Sequence, residues 1–379
     1  MRIVVAPDSY KGSISALGVA EAVEEGFRRV FPDAEVIKAP IADGGEGTVE
    51  ALVSSTGGHY RQTMVSGPLG APVEAVWGVL GDGRTAVIEM AAASGLPLIG
   101  FDQRDPLRAS TFGTGQLLKA VLDAGLTRVI LGIGGSATND GGSGFASALG
   151  VRFLDDEGRE LPPGGAALAR LARVDLSGLD PKVAEMEIMV ACDVDNPLCG
   201  PRGASAVFGP QKGATPEMVE TLDKALGHYG RLAAEATGRD IVDTAGAGAA
   251  GGLGAGLMFF TPAKLRPGID IVLEAIDFDK MVEGAALVIT GEGRTDFQTA
   301  FGKAPVGVAR IAKKRSVPVV CLSGGLGEGY KSIYAQGIDA ALATPDGPMS
   351  LEECLKAGAP LVAEAGERLA RLIKIGQAI

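Results

Sequence analysis

The stretch Ala286-Leu287-Val288-Ile289-Thr290-Gly291-Glu292-Gly293-Arg294-Thr295-Asp296-Phe297-Gln298 reads as a buried strand, Ala286 to Thr290, broken by a glycine loop. An aliphatic, β-branched run this short, stopped by glycine, marks a strand covered on both faces. A helix over about Ala304 to Lys314 follows, then a strand Val317 to Leu322 ending in Ser323-Gly324-Gly325, and a strand Ala340 to Thr344. A long amphipathic helix from about Ser350 to Lys374, interrupted near Pro360, comes last. The N-terminal part uses the same grammar. Arg2 to Ala6 is a strand, and Ala16, Ala20, Val23, Phe27 and Val30 form a helical stripe; Val36 to Ala42 is a second strand, ending at Asp43-Gly44-Gly45-Glu46-Gly47-Thr48 before another stripe from Val49. Strands alternating with helices predict parallel βαβ units, and in such sheets ligands sit beyond the carboxyl ends of the strands.

Neither end has enough strands for a full sheet, so the pattern predicts one α/β domain built from both termini with the middle inserted. The middle predicts strands over Ala75 to Leu80, Thr85 to Met90, Thr127 to Ile133 and Glu187 to Val194, with helices near Thr114 to Ala124 and Pro216 to Thr237, the latter capped by Gly238. It carries no solenoid repeat or low-complexity linker.

Of 379 residues, 46% are hydrophobic, and 46 acidic side chains against 35 basic ones leave a net charge of -11. A field of that sign repels polyanions, which argues against a general nucleic-acid binder. The 57 glycines, about 15% against a usual ~7%, show no collagen period and point to many close backbone approaches. Cys192, Cys199, Cys321 and Cys354 have no CxxC spacing and lie far from His59 and His228, so neither a zinc site nor a disulfide framework is expected. No apolar run suits a signal peptide or a membrane span, and a soluble, cytoplasmic protein is expected. With only two histidines, the chemistry falls to carboxylates, Lys, Arg and backbone.

Most standard phosphate motifs are missing: there is no Walker A loop and no protein-kinase set. The one G-x-G-x-x-G, Gly246 to Gly251, follows Asp243-Thr244-Ala245 and not a strand, which disfavours a dinucleotide fingerprint. Gly132-Ile133-Gly134-Gly135-Ser136-Ala137-Thr138-Asn139-Asp140-Gly141-Gly142 is more informative, since it follows a strand and opens a helix. Freed amides at a helix start bind anions, Ser136 and Thr138 add hydroxyls, and Asp140 caps the helix or faces a metal; the bland alternative is a capped turn. Asp8-Ser9-Tyr10-Lys11-Gly12-Ser13 offers a carboxylate and an ammonium at a strand end, or only a Ser13 cap and a surface lysine. Asp43 and Glu46 put two carboxylates in one flexible loop, which suits Mg²⁺ or is only a capped turn. Gly291 to Thr299 joins Glu292 and Asp296 to the Arg294 fork, with Lys303 just beyond, either to grip a carboxylate or phosphoryl group and take a hydroxyl proton or as a surface ion pair. Asp193 follows a strand as base, metal ligand or turn residue, and Cys192 beside it reads as a small buried hydrophobe.

Taken together, Ala6 to Ser13, Ala42 to Thr48, Gly132 to Gly142 and Thr290 to Asp296 resemble the bacterial glycerate kinase type 1 family, D-glycerate 2-kinases, over essentially the whole chain. Tyr10 stands where that family usually has Phe. The resemblance implies a discontinuous Rossmann-like domain, 1–60 with 285–379, an inserted α/β domain, 61–284, and an active site in the cleft between them. It implies ATP and Mg²⁺ as nucleotide and cofactor, D-glycerate as substrate and 2-phosphoglycerate as product, with no nucleic-acid or membrane partner and a monomer or homodimer as the assembly. On that footing Gly134, Gly135, Ser136, Thr138, Asn139, Gly291 and Gly293 contact nucleotide phosphates, and Asp43 and Glu46 hold Mg²⁺ or its water. Asp8, Ser9, Lys11 and Arg294 bind substrate, Lys11 meeting the transferring phosphate and Arg294 the glycerate carboxylate. Asp193 or Asp296 accepts the hydroxyl proton. The rivals are a 3-phosphoglycerate-forming kinase, a non-catalytic hydroxy-acid sensor and a nicotinamide-dependent dehydrogenase, the last disfavoured by the poor fingerprint.

Overall fold

The computed structural model describes residues 1–378. The described chain divides into two compact units: a terminal unit of residues 1–43, 50–57 and 269–378, and an inserted unit of residues 44–49 and 58–268. Residues 269–284, expected in the insert, cluster with the terminal unit, where Ile269 packs under Gly307 of helix Ala304–Lys314.

The terminal unit is built on a fully parallel five-stranded sheet ordered Ala340–Ala343, Val319–Ser323, Leu287–Gly291, Arg2–Pro7, Glu35–Lys38. Alternation along the strands sends Ile3, Val5, Leu287, Ile289 and Leu322 into one core with Val19, Val23 and Phe27 of helix Ala16–Arg28 and Val362 and Leu369 of helix Gly358–Gly376. Burying each large aliphatic or aromatic side chain stabilises by roughly 1.5–3 kcal/mol. Helix Ala304–Lys314 packs against Leu287–Gly291 as well. Ser15, not Ser13, caps the first helix, accepting from Gly18 N at 3.3 Å; the Ser13 hydroxyl donates to Leu355 O.

The strand expected over Val36 to Ala42 ends at Lys38, because Pro40 has no N–H to continue the ladder. Ala39 and Ile41 nevertheless donate to Val5 O and Pro7 O, so the chain runs on beside the first strand as far as the Asp43 loop. The C-terminal helical region breaks at Ala357, giving Leu351–Lys356 and Gly358–Gly376, and Pro360 lies in the first turn of the second helix, where its missing N–H costs nothing.

The inserted unit has a mixed six-stranded sheet ordered Lys264–Arg266, Glu187–Ala191, Arg128–Gly132, Thr85–Glu89, Pro72–Val79, His59–Ser66; the first four strands are parallel and the last two antiparallel. Strand His59–Ser66, which the sequence pattern does not single out, is mostly exposed and polar, as an edge strand can be. A separate ribbon pairs Arg152–Leu154 with Arg173–Asp175. One core surrounds Trp77, Leu117, Phe145 and Leu253, and another surrounds Phe153, Tyr229 and Phe260.

Helix Ala249–Phe260 contains left-handed residues Ala250, Gly251 and Gly252. A Cβ on Gly251 would stand 1.9 Å from Thr138 O, so the glycines of the G-x-G-x-x-G match serve a backbone-to-backbone crossing.

Candidate active site

In the terminal unit, parallel register aligns the strand ends: Pro7 pairs with Gly291, and Thr290 with Cys321. Asp8 and Glu292 therefore emerge side by side, and Asp8 N donates to Gly291 O at 2.8 Å. Gly291 is required by packing, since a Cβ there would lie 1.6 Å from Leu322 O. Its expected role as a phosphate contact thus competes with a structural one. Tyr10 fills the space beneath, its hydroxyl donating to Leu322 O at 2.6 Å.

Burial, with Asp43 and Glu292 nearby, pushes the Asp8 carboxyl up to about 7, against donors from Ser9 alone, its N–H at 2.6 Å and its hydroxyl. Burial also raises Glu292, although Thr299 and Thr295 donate to it at 2.5 and 3.2 Å and Lys303 pairs with it at 3.9 Å. Lys11 and Arg294 share the lining of a cavity of about 250 Å³ with Tyr10, Gly293, Gly324 and Thr344. The Arg294 side chain is 70% exposed. Asp296 caps the turn Phe297–Phe301 by accepting from Gln298 N and lies 3.8 Å from Arg294 Nε, which leaves it holding the arginine as much as facing solvent. Ser9 is half-buried.

In the inserted unit, Glu89, Gly132, Ala191 and Arg266 are aligned across the sheet, so the segments after them leave from one edge. Gly44 and Gly45 lie across that edge: a Cβ on Gly132 would meet Gly44 O at 2.6 Å, and one on Gly134 would meet Gly45 Cα at 2.9 Å. Glu46 is exposed, and Glu89, accepting from Val49 N, is raised by burial and by Glu46. Asp193 is exposed at the end of its strand and accepts from Gly268 N at 2.9 Å. Burial raises the Cys192 thiol, consistent with an inert side chain.

The glycine-rich segment divides in two. Gly134 is half-buried and Gly135 exposed, whereas Ser136 is almost covered and Thr138 and Asn139 are fully inside. Asn139 Nδ2 donates to Ser205, and the buried Thr138 Oγ1 and Asn139 Oδ1 have no partner among the described residues. Asp140 does cap: it accepts from Thr111 N at 2.8 Å, Gly142 N at 3.1 Å, Gly144 N at 3.3 Å and the Thr111 hydroxyl at 2.9 Å. At this helix start the amides of Gly142 and Gly144 are thus taken by the protein's own carboxylate.

Lys212, whose local sequence points to no role, is fully buried and donates to Thr138 O at 2.6 Å. Burial pushes its ammonium down to about 7, with Asp140 pulling the other way. A lysine between Gln211 and Gly213 gives no local sign of burial; only the tertiary fold does.

Among the described residues no group of three or more His, Cys, Asp or Glu stands ready to enclose a metal. The terminal unit offers hard oxygen donors in Asp43 and an under-compensated Asp8 beside it, the kind taken by a cation that completes its shell with phosphate and water.

A family model described as the glycerate kinase family matches residues 3–374. The chain belongs to the glycerate kinase family. It is accordingly a phosphotransferase with an alcohol group as acceptor. It is 53% identical to a glycerate kinase of Bacillus subtilis (strain 168), over 100% of this chain and 99% of that one. It is 48% identical to the glycerate 2-kinase of Escherichia coli (strain K12), over 99% of both chains. A crystal structure from Salmonella typhimurium LT2, assigned as a glycerate kinase 2, superposes with a TM-score of 0.91 at 51% identity, covering 100% of each chain. No helix among the described residues is long and apolar enough to cross a membrane.

Proposed function

We propose that the protein transfers the terminal phosphoryl group of ATP to the 2-hydroxyl of D-glycerate, with Mg²⁺, in the cytoplasm. The observation that carries this reading is the pairing of Lys11 and Arg294 in a small cavity at the strand ends that carry Asp8 and Glu292. Such a cavity is sized for a three-carbon acid. Its cations match one carboxylate and one phosphoryl group, and the printed name of the Escherichia coli relative supports position 2.

Arg294 grips the glycerate carboxylate, steadied by Asp296, and Lys11 meets the transferring phosphoryl group, with Asp8 and Ser9 beside the substrate. Gly134, Gly135 and Ser136 contact nucleotide phosphates. Asp43 and Glu46 would hold Mg²⁺, which neutralises phosphate charge when bound. Asp193, exposed at its strand end, accepts the hydroxyl proton.

Incubation with D-glycerate, ATP and Mg²⁺, coupled to enolase with and without phosphoglycerate mutase, tests the reading. Signal with enolase alone means 2-phosphoglycerate; signal only with mutase moves transfer to the other hydroxyl; ADP formed in neither case removes the kinase reading. Asp193→Asn is expected to lower kcat at least about a hundredfold at near-constant KM. Asp296→Asn should instead raise KM for glycerate. The reverse pattern would exchange the two roles.

A further inference from the structure

The inserted unit encloses a second cavity, of about 690 Å³, which the roles above do not use. Its wall is part apolar, from Leu69, Phe112 and Leu161, and part hydroxyl, from Ser110 and Ser143, with Arg108 at its edge. The geometry points to this cavity as the seat of the base and ribose of a nucleoside polyphosphate, with Arg108 on the phosphate nearest the ribose. The inference rests on the kinase reading and adds to it where, and by what chemistry, the nucleotide is held.

Size comes first. A volume of 690 Å³ lies within the range of pockets that bury small-molecule ligands and cofactors, and far exceeds a three-carbon acid, which the 250 Å³ cavity of the terminal unit suits. Position comes second. Helix Phe112–Asp123 joins the parallel neighbours Thr85–Glu89 and Arg128–Gly132, so its start at Phe112 lies at the carboxyl edge of that sheet, where α/β folds bind ligands. Chemistry comes third. A flat apolar base needs an apolar wall, and Leu69 stands 41% exposed on one.

Recognition of charge falls to Arg108, because nearby backbone donors are taken: Asp140 occupies Thr111 N and Gly144 N, and the Ser110 hydroxyl accepts from Phe112 N. The Arg108 guanidinium itself has no hydrogen bond or ion pair among the described residues, whereas Arg152 on the same lining is paired with Glu160 and Asp175. An unpaired arginine beside an apolar wall, in a chain with 46 acidic side chains against 35 basic ones, is suited to an anionic ligand.

The test is calorimetric titration of the full-length protein with ADP and, separately, adenosine, for wild type, Leu69→Trp and Arg108→Gln. Both substitutions are at exposed positions, and circular dichroism checks that the variants fold. Leu69→Trp, which adds bulk at the apolar wall of the cavity, should weaken both ligands at least about tenfold, while Arg108→Gln should weaken ADP about tenfold and leave adenosine within about twofold. The KM for glycerate should stay unchanged in both. If wild type binds ADP and neither variant alters it, the nucleotide lies elsewhere and this inference falls while the kinase reading stands. If wild type binds no nucleotide at all, both fall together.

Discussion

Two buried or half-buried carboxylates, one in each unit, are treated in opposite ways. Asp140 of the inserted unit is fully enclosed, but three amides and a hydroxyl converge on it and Lys212 lies close by. Asp8 of the terminal unit is met by Ser9 alone, through one amide and one hydroxyl, and faces Asp43 and Glu292, charges of its own sign. Burial raises both groups; only at Asp140 do the protein's own donors answer it in number. A carboxylate whose partners are complete holds a fold together, while one left short of partners is available to a cation or a substrate.

The largest expected effect tests that division directly. Asp140→Ala would leave three amides and a hydroxyl unsatisfied in the interior and Lys212 without its counter-charge, and should cost the inserted unit about 3–5 kcal/mol. Trp77, the chain's single tryptophan and 2% exposed in that unit's core, reports the loss as a shift of the fluorescence-detected urea midpoint. Asp8→Asn removes a charge that its surroundings disfavour, so calorimetric stability at pH 8 should hold or rise, while turnover collapses. Equal destabilisation by the two substitutions would break the comparison.

The same contrast explains what the sequence could disclose. The terminal sheet was readable because fully buried parallel strands such as Leu287–Gly291 are unbroken apolar runs ended by glycine, and the loops after them carry Asp8, Lys11, Glu292 and Arg294 in plain view. In the insert, strand His59–Ser66 alternates too weakly to stand out, and the left-handed turn at Ala250 to Gly252 is set by contact with Thr138 and Gly141 over a hundred residues away. The Gly132 to Gly142 loop stands out by composition, and a cap is one of two roles open to Asp140 there, but composition does not decide that Asp140 takes the amides of Gly142 and Gly144. Lys212 and Arg108 were invisible for a related reason: a buried or an unpaired cation differs from a surface one only through its surroundings.

Lys212 gives the next effect in size. Burial pushes its ammonium down to about 7 from the ordinary 10.5, so between these limits the unfolded chain binds a proton that the native state does not. Stability then rises with pH across this window, by at most about 1.4 kcal/mol per pH unit, and the penalty is constant below it. The Trp77-detected midpoint should therefore increase from pH 7 to pH 9 in wild type more than in Lys212→Met. Parallel profiles would mean that Lys212 stays charged inside, held by Asp140 and Thr138 O.

Tyr10→Phe should have the smallest effect, and it probes the terminal unit's cavity from beneath. The Tyr10 hydroxyl donates to Leu322 O in a place only 5% exposed, so its removal should cost about 1 kcal/mol in calorimetric stability, the worth of one neutral buried hydrogen bond. The ring also lines the cavity shared by Lys11 and Arg294. If the cavity is set by the backbone crossing at Gly291 and Leu322, the Phe ring fills the same space, and kcat and the KM for glycerate should stay within about twofold. A KM shift much larger than the stability loss would instead make the hydroxyl the group that holds strand Val319–Ser323 against the first loop, and with it the spacing of the two cations that the carboxylate and the phosphoryl group must reach.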